Sequence, residues 1–306
     1  MKPAAVVDSP PQSFDVASDR GSFGSSRFVS LWTAYALTLR QHLHGKRWMV
    51  IAGMCALCAG LVILVRATAP DVPSIMLEFI FAFMFIPQAI LPLVALIYAS
   101  GIVRDEQEEQ TMTYLLIRPI PKWALYGMKL FATLTTTVIL VVALTFLTYA
   151  AVYLGSDTSL KDAASRALQA AGIHSLAVVA YCCLFGLISL LTKRALVVGI
   201  LYAALFEGAI ANLPFSIRLA TVIYYTRLIA YRSMQFLTPL PNNPSRTTDL
   251  AAEAWQFDVQ ADPGLLAHPQ VRTCLIVLLA ASAASALIAA ILFSVREFHL
   301  KTPEKA

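Results

Sequence analysis

The 306-residue chain is 58% hydrophobic and 13% charged, with a mean hydropathy of +0.69. Globular domains carry roughly 25% charged residues, so that deficit excludes a soluble domain and places the chain among polytopic helical membrane proteins. The net charge of +5 matters through its distribution, which sets orientation; a lipid bilayer is the expected surrounding and no nucleic-acid partner is expected. Cys55, Cys58, Cys182, Cys183 and Cys274 fall in or at the ends of apolar runs, so they are read as buried free thiols without a disulfide framework. Lipid-embedded helix on both sides argues against a redox or zinc role for the C-x-x-C formed by Cys55 and Cys58.

In chain order, residues 1–27 contain Ser, Pro and Asp without the apolar core of a cleavable signal, and read as a disordered cytosolic tail. From Phe28 to Leu43, Phe28, Leu31, Trp32, Tyr35, Leu39 and Leu43 share one helical side, with Thr38, Arg40, Gln41 and His44 opposite. Such a segment lies in the membrane interface with its aromatic face down, or packs as a short helix on protein. His42 and His44 are read as solvated neighbours of the basic His44–Arg47 patch. Six spans are predicted at about 48–65, 75–99, 124–154, 173–191, 195–213 and 271–295. Pro87 and Pro92 are expected to kink the second, and Glu78 to sit at its outer interface. The third run is too long for one crossing at about 1.5 Å per residue, so its first two turns, with Lys129, are expected to project into the cytosol. A loop over 155–172 with one amphipathic turn precedes span four.

Residues 214–270 form the longest extramembrane segment. Its first half is aromatic, with Arg218, Arg227 and Arg232 spaced through it. An arginine near mid-bilayer costs about 2.5–3.5 kcal/mol, so this half reads as one or two interfacial or half-inserted helices. An acidic, Ala-rich surface segment follows the prolines at 239, 241 and 244. With the amino terminus in the cytosol, fifteen of the 23 Lys and Arg residues fall on the cytosolic side. The positive-inside rule therefore gives both termini and residues 299–306 to the cytosol, and residues 214–270 to the far side.

Enzyme chemistry has no visible home. There is no G-x-x-x-x-G-K-[ST] phosphate loop, no H-E-x-x-H and no G-x-S-x-G, and the five histidines are scattered. Glu207 is the one ionisable side chain well inside a span, roughly 18 Å from its cytosolic end. It reads either as a pathway or gating residue, or as a neutral structural acid helped by Asn212. Small residues in span six, among them Ala280, Ser282, Ala286 and Ala289, permit close helix approach, within the chain or between subunits.

The densest polar stretch lies between spans two and three. Arg104 opens it, and the carboxylates of Asp105, Glu106, Glu108 and Glu109 follow near a helix start, where negative charge is favourable. Thr111, Met112, Leu115 and Leu116 follow, the last three giving an apolar side. Arg118 and Pro119, then Pro121, Lys122 and Trp123, end the helix, since residues before proline resist the helical region.

This pattern resembles the ABC-2 type permeases, the membrane subunits of a class of ATP-binding-cassette exporters. Their acidic run, Gly-Thr-Leu, Leu-Leu, x-x-Pro and basic-Trp turn correspond here to Glu108 and Glu109, then Gln110, Thr111 and Met112, then Leu115 and Leu116, then Arg118 and Pro119, then Lys122 and Trp123. Gln110 stands where glycine is usual, and Met112 where leucine is. The resemblance implies an all-α fold of six transmembrane helices behind an N-terminal elbow helix, with a transmembrane domain over about 28–298. It further implies a coupling helix over 104–123 seated on a separate ABC ATPase subunit, which would hold ATP and Mg. The permease would bind no cofactor or metal, carry no catalytic residue, pair with a second copy or a paralogue, and export cargo across a bacterial inner membrane. A non-transporting coupler to an extracytoplasmic partner, and an integral-membrane enzyme, remain the alternatives.

Overall fold

Runs of some 20 apolar residues leave the backbone no solvent to bond with in a bilayer, so each must satisfy its own N–H and C=O groups as helix. The computed structural model describes residues 22–44, 47–102, 121–156, 158–212, 216–240, 243–255 and 269–295. Within it lie α1 (Ser22–His44), α2 (Arg47–Thr68), α3 (Ser74–Ala99), α4 (Lys122–Tyr153), α5 (Leu160–Leu191), α6 (Ala195–Asn212), α7 (Val222–Ser233), α8 (Leu250–Trp255) and α9 (Val271–Val295). Among them, α2 to α6 and α9 are the six that are long and apolar enough to cross a membrane. The expected six-helix, all-α membrane architecture is thus the observed one.

The middle of the bundle is α5, which packs on α3, α4, α7 and α9. Two apolar clusters surround it. One, toward the end where α3 finishes and α4 begins, holds Leu91, Leu96, Tyr98, Tyr126, Tyr181 and Phe185. The other, at the opposite end, holds Phe79, Phe83, Tyr149, Leu228, Phe236 and Trp255. These are called the inner and outer ends below, after the orientation expected from charge. Edge-to-face contacts of Phe236 with Phe79 and Phe83 knit the outer cluster.

Several expectations are corrected. Span four is not preceded by a long loop: α5 runs unbroken from Leu160. The connection is confined to a few residues around Gly155, whose φ of 73° suits glycine. Ser159 caps α5, accepting from the Asp162 N–H and donating to its carboxylate. The helix-favouring run from Ala163 to Ala171 then carries the helix past Gly172, with Ala167, Ala170 and Ala171 buried. Lys129 does not project as a solvated side chain; it is 4% exposed. His42 is no solvated neighbour of a basic patch either, being 4% exposed. The buried line of α1 is Ala34, Thr38 and His42, one residue per turn against α4, while Trp32 on the aromatic side is 58% exposed.

The helix α3 departs from α-helical bonding in the stretch that holds Pro87. Glu78–Ile90, with Pro87 inside, takes π-helical bonding, and Ala203–Ala209 in α6 does the same. Beyond α6, a 3-10 turn (Ser216–Ala220) leads into α7, which lies on α5 and α9. An unanticipated antiparallel hairpin follows, β1 (Leu237–Leu240) and β2 (Asn243–Asp249), irregular at Pro239/Leu240. On α9, Ser282, Ala289 and Phe293 are buried, whereas Ala280, Ala281, Ala283 and Ala284 are exposed.

Where α6 crosses α3, an added Cβ on Gly199 would collide with Leu96 Cδ1. Gly199→Val is expected to destabilise the detergent-purified protein by about 1–3 kcal/mol, as overpacking does. Adding Leu96→Ala should recover most of that loss in a thermal unfolding assay, and no recovery would refute the close approach.

Candidate functional site

Glu207 lies in the π-helical stretch of α6 and is fully buried. Its carboxylate accepts from the backbone N–H groups of Val222 (3.1 Å) and Ile223 (2.9 Å) and from the Tyr202 hydroxyl (3.1 Å). Those N–H groups are the first two of α7. A helix start has unsatisfied donors, and the cap residue Thr221 accepts from none of them, its hydroxyl being turned toward the Arg218 carbonyl. Glu207 fills that role from another helix, with its negative charge at the positive end of the α7 dipole. The chain after α6 is thereby folded back against it.

One helical turn after Ile223, Arg227 is 5% exposed. Its Nη1 donates to Asn212 Oδ1 (2.8 Å), its Nη2 to Gln88 Oε1 (3.0 Å), and its guanidinium lies 5.7 Å from the Trp255 ring centroid. Burial pulls its pKa down to about 10, against the upward pull of Tyr181 and Glu207, so it remains charged at neutral pH. A guanidinium only donates, which fixes the Gln88 amide with its oxygen toward Arg227. Gln88 also lines a groove of about 250 Å³ between α3 and α6, otherwise walled by Ala89, Pro92, Leu93, Leu96, Ile200, Ala203, Ala204 and Gly208. Both π-helical stretches contribute to it. An apolar cleft with one oriented amide suits an apolar molecule carrying a hydrogen-bond acceptor.

At the outer end Glu78 is not interfacial, as its sequence position suggests, but fully buried. Arg166 Nε donates to both its oxygens (3.1 and 2.8 Å), Tyr149 to Oε1 (2.7 Å) and Tyr153 to Oε2 (2.6 Å). Arg166 Nη2 also donates to the Gln235 carbonyl (3.2 Å), and its guanidinium lies 5.7 Å from the Phe236 ring. The cluster joins α3, α4 and α5 to the start of the hairpin.

Arg104, Asp105, Glu106, Glu108, Glu109, Thr111, Met112, Leu115, Leu116, Arg118 and Pro119 lie outside the described residues. Of the candidate coupling and gating residues, Glu207 is the one among the described residues, and its partners Tyr202, Val222 and Ile223 were not singled out in the sequence. Gln88, an amide inside an apolar run, was a visible signal. Arg227 was visible only as a charge to be kept out of lipid, and Arg166 carried no signal of its own. Among the described residues the five cysteines are free, and no group of three or more His, Cys, Asp or Glu side chains converges on a point.

A family model described as an ABC-2 family transporter protein matches residues 40–212. The match takes in both walls of the groove, Glu78, Arg166 and Glu207, and stops short of Arg227. No curated protein matches the chain at a significant level.

Removing Arg166 strands a buried carboxylate. Arg166→Ala should cost about 3–5 kcal/mol in thermal or denaturant unfolding, the penalty of an unpaired buried charge. The Glu78→Gln/Arg166→Met pair should lose much less, and equal losses in the two would argue against the ion pair. At the other cluster, Glu207→Ala leaves two helix-start N–H groups without acceptors and should cost about 1–3 kcal/mol per stranded group, with Glu207→Gln intermediate.

Proposed function

The chain belongs to the ABC-2 transporter family, and from that membership, as a multi-pass permease subunit of an ABC transporter, we propose that it forms the membrane pathway of an exporter driven by a separate ATPase. The carrying observation is the family match laid over a six-helix bundle whose second and fifth spans, α3 and α6, enclose the groove at Gln88. ATP and Mg reside on the partner, and this chain contributes no catalytic group. The 104–123 segment meets the ATPase, with Met112, Leu115 and Leu116 as its apolar contact and the flanking charges, from Arg104 to Glu109 and at Arg118, setting register. Thr111 and Pro119 complete the family's motif there. A second copy or a paralogue completes the pathway, in a bacterial inner membrane.

Within this reading Glu207 acts as a positioning residue. It holds the start of α7, and so Arg227, in the place from which Arg227 orients the Gln88 amide toward the groove. The buried anchoring of α7 and the hairpin also supports a second reading, in which the extracytoplasmic segment passes ATPase motion to a partner instead of releasing cargo.

The test uses the permease with its ATPase in inverted membrane vesicles. Leu115→Ala/Leu116→Ala, Glu109→Ala and Arg118→Ala should each insert normally yet lower ATPase co-purification or stimulated hydrolysis, by roughly tenfold for the double variant, which truncates central interface contacts. Unchanged co-purification and hydrolysis in all three would remove the coupling assignment. ATP-dependent accumulation of cargo separates the pump from the mechanical coupler. Glu207→Gln should slow that accumulation, and wild-type transport would reduce Glu207 to a structural acid.

A further inference from the structure

We infer that Lys129, clasped to Ile102 and braced by Thr133 and His42, is the positioning residue through which motion of the 104–123 segment enters the membrane helices. The inference rests on the reading of that segment as the ATPase contact, and its observations lie in the described residues on either side.

Lys129 sits two turns into α4. Its Nζ donates to the carbonyl of Ile102 (3.2 Å), 27 positions earlier, in the helical turn that extends α3 at its inner end. Donor and acceptor residues are both buried, at 4% and 3% exposure. Both groups are out of water there, and an ionised donor strengthens the bond. The contact joins the described residue before the 104–123 segment to the helix that follows it.

The clasp is braced from the side. The Thr133 hydroxyl donates to the Lys129 carbonyl (3.0 Å) and lies 3.2 Å from His42 Nε2. A hydroxyl has one proton, and Thr133 spends it on Lys129, so His42 must donate from Nε2. The His42 ring also meets Tyr98 edge-on, 5.0 Å between centroids, one turn before Ile102. Tyr98, Ile102, Lys129, Thr133 and His42 therefore close a circuit through α3, α4 and α1.

Burying an ammonium is a poor way to gain stability when apolar packing would serve, whereas it does fix register. What the circuit fixes is the relative position of three helices at the root of the 104–123 segment. A displacement of that segment then moves α1, α3 and α4 together. Without the clasp, the two ends of the segment move independently and the displacement is absorbed locally.

The test uses the full-length permease with its ATPase in nanodiscs and vesicles. Lys129→Met should leave ATPase co-purification and basal ATP hydrolysis as in wild type, and lower permease-stimulated hydrolysis and transport by roughly tenfold, the scale of one charge-assisted hydrogen bond. Lys129→Arg, which keeps a charged donor, should recover most of the coupling. His42→Gln, whose amide donates from a similar position, should likewise outperform His42→Ala. As an independent readout, spin labels at exposed Leu37 on α1 and Ile139 on α4 should keep a nucleotide-independent separation in wild type, in a background without native cysteines. In Lys129→Met that separation should change with nucleotide.

Equal coupling in wild type, Lys129→Met and Lys129→Arg would overturn the inference and leave the ATPase reading intact. Failure of the wild-type permease to bind or stimulate any ATPase would overturn the reading itself. If Lys129→Met does not insert, Thr133→Val decides. It removes the His42 brace while keeping the ammonium and should lower coupling severalfold, and unchanged coupling there would count against the circuit.

Discussion

Glu78 accepts from Arg166, Tyr149 and Tyr153 while wholly buried, and much of the outer half of the bundle depends on that arrangement. A carboxylate in an apolar surrounding holds its place only while its donors do. Three helices and the start of the hairpin are thus constrained at once, since Arg166 also donates to the Gln235 carbonyl. The aromatic cluster of Phe79, Phe83, Phe236 and Trp255 supplies the apolar area. That area is non-directional, and a packed aromatic surface alone tolerates several registers. The ion pair selects one.

The same logic recurs wherever a polar group enters the bundle. On α4, the hydroxyls of Thr133, Thr136, Thr137, Thr145 and Thr148 donate to carbonyls four residues earlier, so a polar helix face is buried without strangers to satisfy it. Thr145 also meets Nδ1 of the buried His174 at 2.9 Å, tying α4 to α5 near the middle of the bundle. Arg66, at the outer end of α2, reaches across the following turn to the Val72 carbonyl and the Ser74 hydroxyl. Glu207 and Arg227 extend the scheme beyond the six spans. One anchors the start of α7 and the other its middle, and together they turn a segment too charged to cross the bilayer into one that packs against the bundle.

The spans were legible because hydropathy over some 20 residues is a local property that survives any tertiary arrangement. Glu207 was legible because a carboxylate inside such a run is anomalous. What escaped was every fact that depended on a distant partner. Glu78 looked interfacial because Arg166 is 88 residues away, and Lys129 looked cytosolic because nothing local marks the Ile102 carbonyl as its acceptor. His42 was assigned to a basic patch by its neighbours in sequence, although its neighbours in space are Thr133 and Tyr98. The length of α5 was missed for another reason. The loop was expected to run on to residue 172, yet the alanines in that stretch favour helix and α5 starts at Leu160. The 104–123 motif, the most specific signal in the sequence, falls almost wholly outside the described residues and stands on its residues alone.

These tethers are not spread evenly, and α3 collects most of them. It is held at its outer end through Glu78, in its middle through Gln88, and just past its inner end through the Ile102 carbonyl. Between the outer and inner anchors lies the π-helical stretch containing Pro87, with Pro92 five residues on. Each proline removes a backbone donor, and the widened turn has already departed from the tight α-helical ladder, so bending here breaks fewer hydrogen bonds than bending elsewhere along the helix. The groove opens beside this stretch. In α3 the middle is where Gln88 meets the groove, so the sequence places its softest backbone and its oriented amide at one level of the membrane.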